Sequence, residues 1–283
     1  MGINSVGIIG AGTMGNGIAQ VCAVSGIKVV MLDVSVEAVQ RGIATLSANL
    51  NRLVKKDKLS AAEMDKIVGR IHTTTQYAEL AAVDLVIEAA TENEPLKLRI
   101  LKDIDAIVGP DAIIATNTSS ISITKLAAAI SHPGRFIGMH FFNPVPVMAL
   151  VELICGLQTS AQTQEQIASF VKTLGKTSIA AKNSPGFAVN RILCPMINEA
   201  IFALQEGLAS AEDIDTGMKL GCNQPIGPLA LADLIGLDTM LSVMSVLYTN
   251  FNDSKYRPAP LLREMVDAGF LGRKSGQGFF QYS

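Results

Sequence analysis

Only three imidazoles, His72, His132 and His140, occur in the 283 residues, so a histidine that moves protons near neutral pH must be one of them. His72 lies in the polar stretch I-H-T-T-T, and His132 precedes Pro133-Gly134 in a turn, so both read as solvated surface groups. His140 differs: in G-M-H-F-F-N-P it stands toward the carboxyl end of an apolar, strand-like run, the edge where open α/β sheets place ligands. Glu152 sits inside the run L-V-E-L-I, where an unpaired carboxylate would cost on the order of several kcal/mol. Pro144 and Pro146 break the chain between the two runs, so a reversal of direction can bring Glu152 beside the ring. A carboxylate on one ring nitrogen fixes the tautomer, favours the imidazolium and leaves the other nitrogen as a general base. A buried ion pair of purely structural role satisfies the same pattern.

A second constellation is Gly10-Ala11-Gly12-Thr13-Met14-Gly15, which spells G-x-G-x-x-G. It follows an apolar run at residues 5–10, opens a helical pattern that ends near Gly26, and precedes a second run at residues 28–33 that closes on Asp33. That is the context of a dinucleotide site: Gly10 for the tight turn, Gly12 for close approach of a pyrophosphate, Gly15 for close packing of helix on strand. The N-H groups opening the helix at Thr13 and Met14 face the phosphates. A carboxylate at Asp33 accepts from a ribose 2'-hydroxyl and repels a 2'-phosphate, and Val34, Ser35 and Val36 supply no arginine, so NAD is expected over NADP. A helix cap is the other reading of Asp33.

The elements that must carry these groups can be read from periodicity. Apolar runs at 84–89, 112–117, 136–142, 150–154 and 177–181 alternate with helical segments such as 95–108, which predicts a Rossmann-type α/β fold with a doubly wound, mainly parallel sheet. Between about 35 and 70 a helical hairpin is inserted, its second helix opened by the capping box Ser60-Ala61-Ala62-Glu63. After Asn183-Ser184-Pro185-Gly186 the strand-like runs stop, and helices are expected over 189–206, 211–219, 229–248 and 260–267. Two domains follow: a dinucleotide-binding one over 1–184 and an all-helical one over 185–283. Met240-Leu241, Val243-Met244 and Val246-Leu247 make one helix so apolar that burial in a subunit interface, hence a homodimer, is expected.

Composition narrows the class. With 49% hydrophobic and 17% charged residues the chain has ample core material, which excludes disorder, and a net charge of -2 without a basic run excludes a nucleic-acid footprint. The opening stretch is glycine-rich with Asn4, Asn16 and Gln20, unlike a signal peptide or membrane anchor. Cys22, Cys155, Cys194 and Cys222 lie far apart in apolar surroundings without metal-ligand spacing, and read as reduced, buried thiols of a cytoplasmic protein; no metal is expected.

Taken together, V-G-I-I-G-A-G-T-M-G at the start, A-T-N-T-S-S at 115–120, G-M-H-F-F-N-P-V at 138–145, N-S-P-G-F-A-V-N-R at 183–191 and G-R-K-S-G-Q-G-F-F at 272–280 resemble the 3-hydroxyacyl-CoA dehydrogenase family over essentially the whole chain. The resemblance implies NAD-dependent interconversion of a 3-hydroxyacyl-CoA and its 3-ketoacyl-CoA, with His140 and Glu152 as the acid/base pair and Ser119 and Asn190 completing the substrate site. It further implies that Glu92, Lys97, Asn117, Asn143 and Lys274 line the NAD site. Arg52, Lys55, Lys56 and Lys58 form a basic cluster on the hairpin suited to the phosphates of coenzyme A, although a solvated helix face explains it as well. No hydratase-like region precedes the glycine motif and no arginine-rich presequence appears, so a single redox step in a bacterial cytoplasm is expected, with a small-molecule partner and neither nucleic acid nor membrane. A dehydrogenase of the same fold acting on an acid without coenzyme A, and a non-catalytic dinucleotide-binding protein, are the alternatives.

Overall fold

The computed structural model describes residues 2–282, and its contacts divide the chain into two compact units, Met1–Asn183 and Ser184–Ser283. In the first, strands β1 (Ser5–Ile9), β2 (Lys28–Leu32), β3 (Ile71–Thr74), β4 (Leu85–Glu88), β5 (Ile113–Thr116), β6 (Phe136–Phe141), β7 (Leu150–Cys155) and β8 (Thr177–Lys182) form one sheet in the order β3-β2-β1-β4-β5-β6-β7-β8. All neighbouring pairs are parallel except β6 with β7. Strands buried on both faces read as near-continuous apolar runs, and β4, β5 and β6 are buried at every position, with Glu88, Thr116 and His140 as their polar residues near the carboxyl ends. Their covers are α1 (Thr13–Val24), α2 (Val36–Val54), α3 (Ala61–Val68), α4 (Glu94–Asp105), α5 (Ile123–Ala127) and α6 (Ala161–Thr173). Ile8, Ile18, Val29, Leu46, Phe141 and Ile167 belong to one buried apolar cluster that ties strands to helices.

Strand β3 is absent from the sequence expectation because I-H-T-T carries no apolar run. It is an edge strand paired to β2 alone, where half-exposed polar residues are tolerated. The hairpin is present as α2 and α3, Ser35 capping α2 through the Ala38 N-H and Ser60 with Glu63 closing the capping box on α3.

The second unit holds α7 (Val189–Gln205), α8 (Ala211–Gly221), α9 (Pro228–Ile235), α10 (Leu237–Phe251) and α11 (Pro260–Asp267). The single helix expected over 229–248 is two helices, bent by 98° at Gly236, whose φ of 99° is open to glycine and strained for other residues. Met240, Met244 and Leu247 are fully buried within this unit's own core, so the apolar face of α10 is largely consumed inside the unit. Asp215 accepts from the Leu229 and Ala230 N-H groups at the start of α9, and Asp233 accepts from Phe279 N, Phe280 N and the Tyr282 hydroxyl, anchoring the terminal segment. Among the described residues no single helix is long and apolar enough to cross a membrane.

The four cysteines are unpaired. Cys22 and Cys194 are buried and Cys155 is half-buried, but Cys222 is exposed at the end of α8, which corrects the expectation that all four are buried.

Candidate active site

The glycine turn is built as its spacing requires. Gly10 has φ 101°, and a Cβ there would stand 2.7 Å from the Ala89 carbonyl oxygen. A Cβ on Gly15 would lie 1.7 Å from the Gly10 carbonyl oxygen, so the first turn of α1 can sit on the turn only if that residue is glycine. Gly12 differs: nothing lies within 4 Å of its Cβ position, and as N-cap of α1 it offers no side-chain cap, so the N-H groups at Thr13 and Met14 open toward that space. Asp33, just past β2, accepts from Ala11 N at 2.6 Å and Val34 N at 2.7 Å and so fastens the turn to the strand end. Each carboxylate oxygen has a further lone pair, which leaves capacity for ribose hydroxyls. A crevice of about 440 Å³ runs here, lined among others by Gly12, Asp33, Tyr77, Ala90, Arg99 and Asp103. These features fit a dinucleotide: an open backbone cradle at the helix start, an acid at the second strand end, and a cleft between them.

The sheet register carries the imidazole to the same edge. Ile9, Glu88, Thr116 and Gly138 stand side by side across β1, β4, β5 and β6, and His140 lies two residues beyond Gly138, level with the glycine turn rather than deep in the sheet. The antiparallel turn into β7 places Glu152 directly opposite His140. Directly opposed residues share a face of the sheet, and His140 Nδ1 lies 2.7 Å from Glu152 Oε2, with the acid fully buried and the ring 7% exposed. Phe142 packs on the imidazole at 4.6 Å between ring centres. His72, bonded to Glu79, and His132, bonded to Ser131, are both exposed.

The remaining first-unit candidates prove to be interlinked. Glu92 Oε1 accepts from the Thr118 hydroxyl at 2.6 Å, Ser119 N at 2.9 Å, Ser120 N at 3.1 Å, the Ser120 hydroxyl at 3.0 Å and the Ser119 hydroxyl at 3.3 Å. Burial pushes the Glu92 carboxyl up, but the Lys97 ammonium and these hydrogen bonds outweigh it and hold it below the ordinary range. Lys97 is 1% exposed, its ammonium against Glu88 at 2.8 and 2.9 Å. Asn117 Oδ1 accepts from Phe141 N at 2.8 Å and ties β5 to β6 just beside His140, and Asn143 is exposed in the loop that follows β6. Arg52, Lys55 and Lys56 stand exposed at the carboxyl end of α2, where cations also complement the helix dipole. In the second unit, Asn190 is half-buried in the first turn of α7, and Lys274 pairs with Asp238 at 2.5 and 2.6 Å.

Sequence reading missed Glu88, although the signal was present. An acid ending the apolar run D-L-V-I-E calls for a partner as Glu152 does. Tyr77, Arg99 and Asp103 were not legible as crevice residues, because only the sheet order brings their segments beside β1 and β2.

Comparison with known proteins identifies the family of both units. The NAD-binding domain of 3-hydroxyacyl-CoA dehydrogenase matches residues 5–184, and the C-terminal domain of the same family matches residues 186–282. A 3-hydroxybutyryl-CoA dehydrogenase of Bradyrhizobium diazoefficiens is 52% identical over 280 residues, 99% of this chain and 96% of that one. A probable 3-hydroxybutyryl-CoA dehydrogenase of Bacillus subtilis is 49% identical over 282 residues, covering 100% of this chain and 98% of that one. The crystal structure of an (S)-3-hydroxybutyryl-CoA dehydrogenase from Ralstonia eutropha superposes with a TM-score of 0.97 at 67% identity, covering 99% of both chains. With both domains matched in order along nearly its full length, the chain belongs to the 3-hydroxyacyl-CoA dehydrogenase family of NAD-dependent oxidoreductases.

Proposed function

We propose that the chain interconverts 3-hydroxybutyryl-CoA and acetoacetyl-CoA, with His140 moving the proton. The observation that supports this most is the buried 2.7 Å contact between His140 Nδ1 and Glu152 Oε2, level with the glycine turn. An ionised carboxylate only accepts, so Nδ1 carries the hydrogen and Nε2 is the basic nitrogen of the neutral ring. NAD, when bound, supplies the acceptor for the hydride that leaves C3. His140 Nε2 removes the hydroxyl proton as that C-H bond breaks, and Glu152 stabilises the resulting imidazolium. In the opposite direction the imidazolium returns the proton to the forming alkoxide.

The other assignments belong to the same proposal. Ser119 and Asn190 hydrogen-bond the reacting oxygen or the thioester, which orients C3 for transfer. Arg52, Lys55 and Lys56 attract the phosphates of coenzyme A. A homodimer through residues 185–283 is supported by Ile192, Leu208 and Leu220, which are 73%, 78% and 82% exposed.

The test is NADH oxidation with acetoacetyl-CoA against free acetoacetate. Binding energy from the coenzyme A portion is spent on orienting the reacting end, so kcat/KM should favour the thioester by about 100-fold or more. Equal rates with the two would refute the coenzyme A reading.

A further inference from the structure

Lys176 immediately precedes β8, at the sheet edge where β6 ends, and is only 9% exposed. Among the described residues its ammonium pairs with no carboxylate. It donates instead to two main-chain oxygens, the Val145 carbonyl at 2.7 Å and the Met148 carbonyl at 2.6 Å. Burying an ammonium without a counter-charge costs on the order of several kcal/mol, and a methionine would fill the same narrow space without that cost. A charge kept in such a place is explained by what it grips, because a hydrogen bond from a cation is about twice as strong as a neutral one.

Both carbonyls belong to the turn between β6 and β7. The Pro144 carbonyl accepts from Val147 N at 2.9 Å and Met148 N at 3.0 Å, which closes the turn on itself. On one side Val145 is buried against α1, where a Cβ on Gly17 would stand 2.9 Å from the Val145 Cβ. On the other side Lys176 ties the turn to the start of β8, as Thr177 N does through the Ala149 carbonyl at 2.8 Å. The two strands that leave this turn carry His140 and Glu152, and Phe142, between the turn and His140, packs on the imidazole.

We propose that Lys176 is a positioning residue: its ammonium clamps the turn between β6 and β7 through the Val145 and Met148 carbonyls, and thereby holds Phe142 on the His140 ring and keeps that ring in line with Glu152. The link to catalysis rests on the function proposed above; the clamp on the turn does not.

The experiment compares the wild type with Lys176→Met, which keeps the side chain's bulk and removes its donors. Three readouts are taken: hydrogen exchange at the Val147 and Met148 amides, the NADH Kd by fluorescence, and kcat and KM for acetoacetyl-CoA. The two amides should exchange about tenfold faster. Misalignment of His140 should lower kcat by about tenfold, while KM stays within roughly threefold, because the side chain that is lost touches no substrate. NADH Kd should rise by up to about threefold, since Asn143 rides on the same turn. If the clamp acts through Phe142, then in a Phe142→Leu background Lys176→Met should lower kcat by less than roughly threefold, because coupled residues are not additive.

A KM raised about tenfold with kcat and amide exchange unchanged would make Lys176 a direct substrate contact and overturn the proposal. A kcat equal to that of the wild type would overturn it too, as would a loss of kcat equally large with and without Phe142. Where Lys176→Met does not fold, Lys176→Gln ends one bond short and can serve one carbonyl at most, so kcat should fall and amide exchange rise by roughly threefold each; no change in either refutes the clamp. A wild type inactive on acetoacetyl-CoA would refute the substrate assignment, leaving amide exchange to judge the clamp.

Discussion

Replacing Gly12 and Gly15 separately by alanine should have opposite consequences, although both belong to one motif. At Gly15 the new methyl would stand 1.7 Å from the Gly10 carbonyl oxygen, so α1 or the turn must move by about 1.5 Å to restore ordinary contact. Both partners are backbone, which cannot swing aside as a side chain can, and overpacking of this kind costs about 3 kcal/mol or more. For a unit of this size that lowers Tm by roughly 6–12 °C. At Gly12 the methyl meets nothing within 4 Å, and φ -67° with ψ -170° is open to alanine, so Tm should stay within about 2 °C of wild type. The methyl would instead occupy the space toward which the N-H groups of α1 point, and NADH affinity should fall by about 10- to 100-fold. Thermal melts followed by NADH fluorescence titration separate the two effects. A Gly12→Ala protein that binds NADH as the wild type does, or a Gly15→Ala protein that melts with it, would refute this division of roles.

Thiol labelling offers a second test. Burial pushes the Cys22 thiol up to about 12 against a smaller opposing pull from Lys176, and burial alone pushes Cys194 to about 12. Near pH 8 both are therefore almost wholly protonated, and iodoacetamide should modify exposed Cys222 first and Cys155 more slowly. Labelling of Cys22 or Cys194 at a comparable rate in the folded protein would contradict the packing described. Changing Lys55 and Lys56 together to alanine should raise KM for acetoacetyl-CoA by about 3- to 10-fold and leave the melting temperature unmoved, since both side chains are exposed. An unchanged KM would remove them from the substrate site.

Much of this architecture was legible because parallel strands announce themselves as short apolar runs separated by helical periodicity. G-x-G-x-x-G was informative because its three glycines answer to separate constraints, two steric and one open. The His140–Glu152 pair was readable from the improbability of an acid inside L-V-E-L-I and the prolines that let the chain turn back. Strand β3 was not, since an edge strand needs no apolar face, and the break at Gly236 was hidden by helical periodicity that continues across it. The same test of an acid in an apolar run would have found Glu88, but its partner Lys97 lies on the next helix, and only folding shows that the ammonium turns inward to meet it.

The most direct measurement is the turnover of His140→Gln with acetoacetyl-CoA and NADH, made alongside its NADH Kd. Glutamine keeps a polar group beside Glu152 and cannot carry the proton, so turnover should fall by about 100- to 10,000-fold while NADH binds as tightly as to the wild type. Turnover equal to that of the wild type would contradict the assignment of His140 as the group that moves the proton.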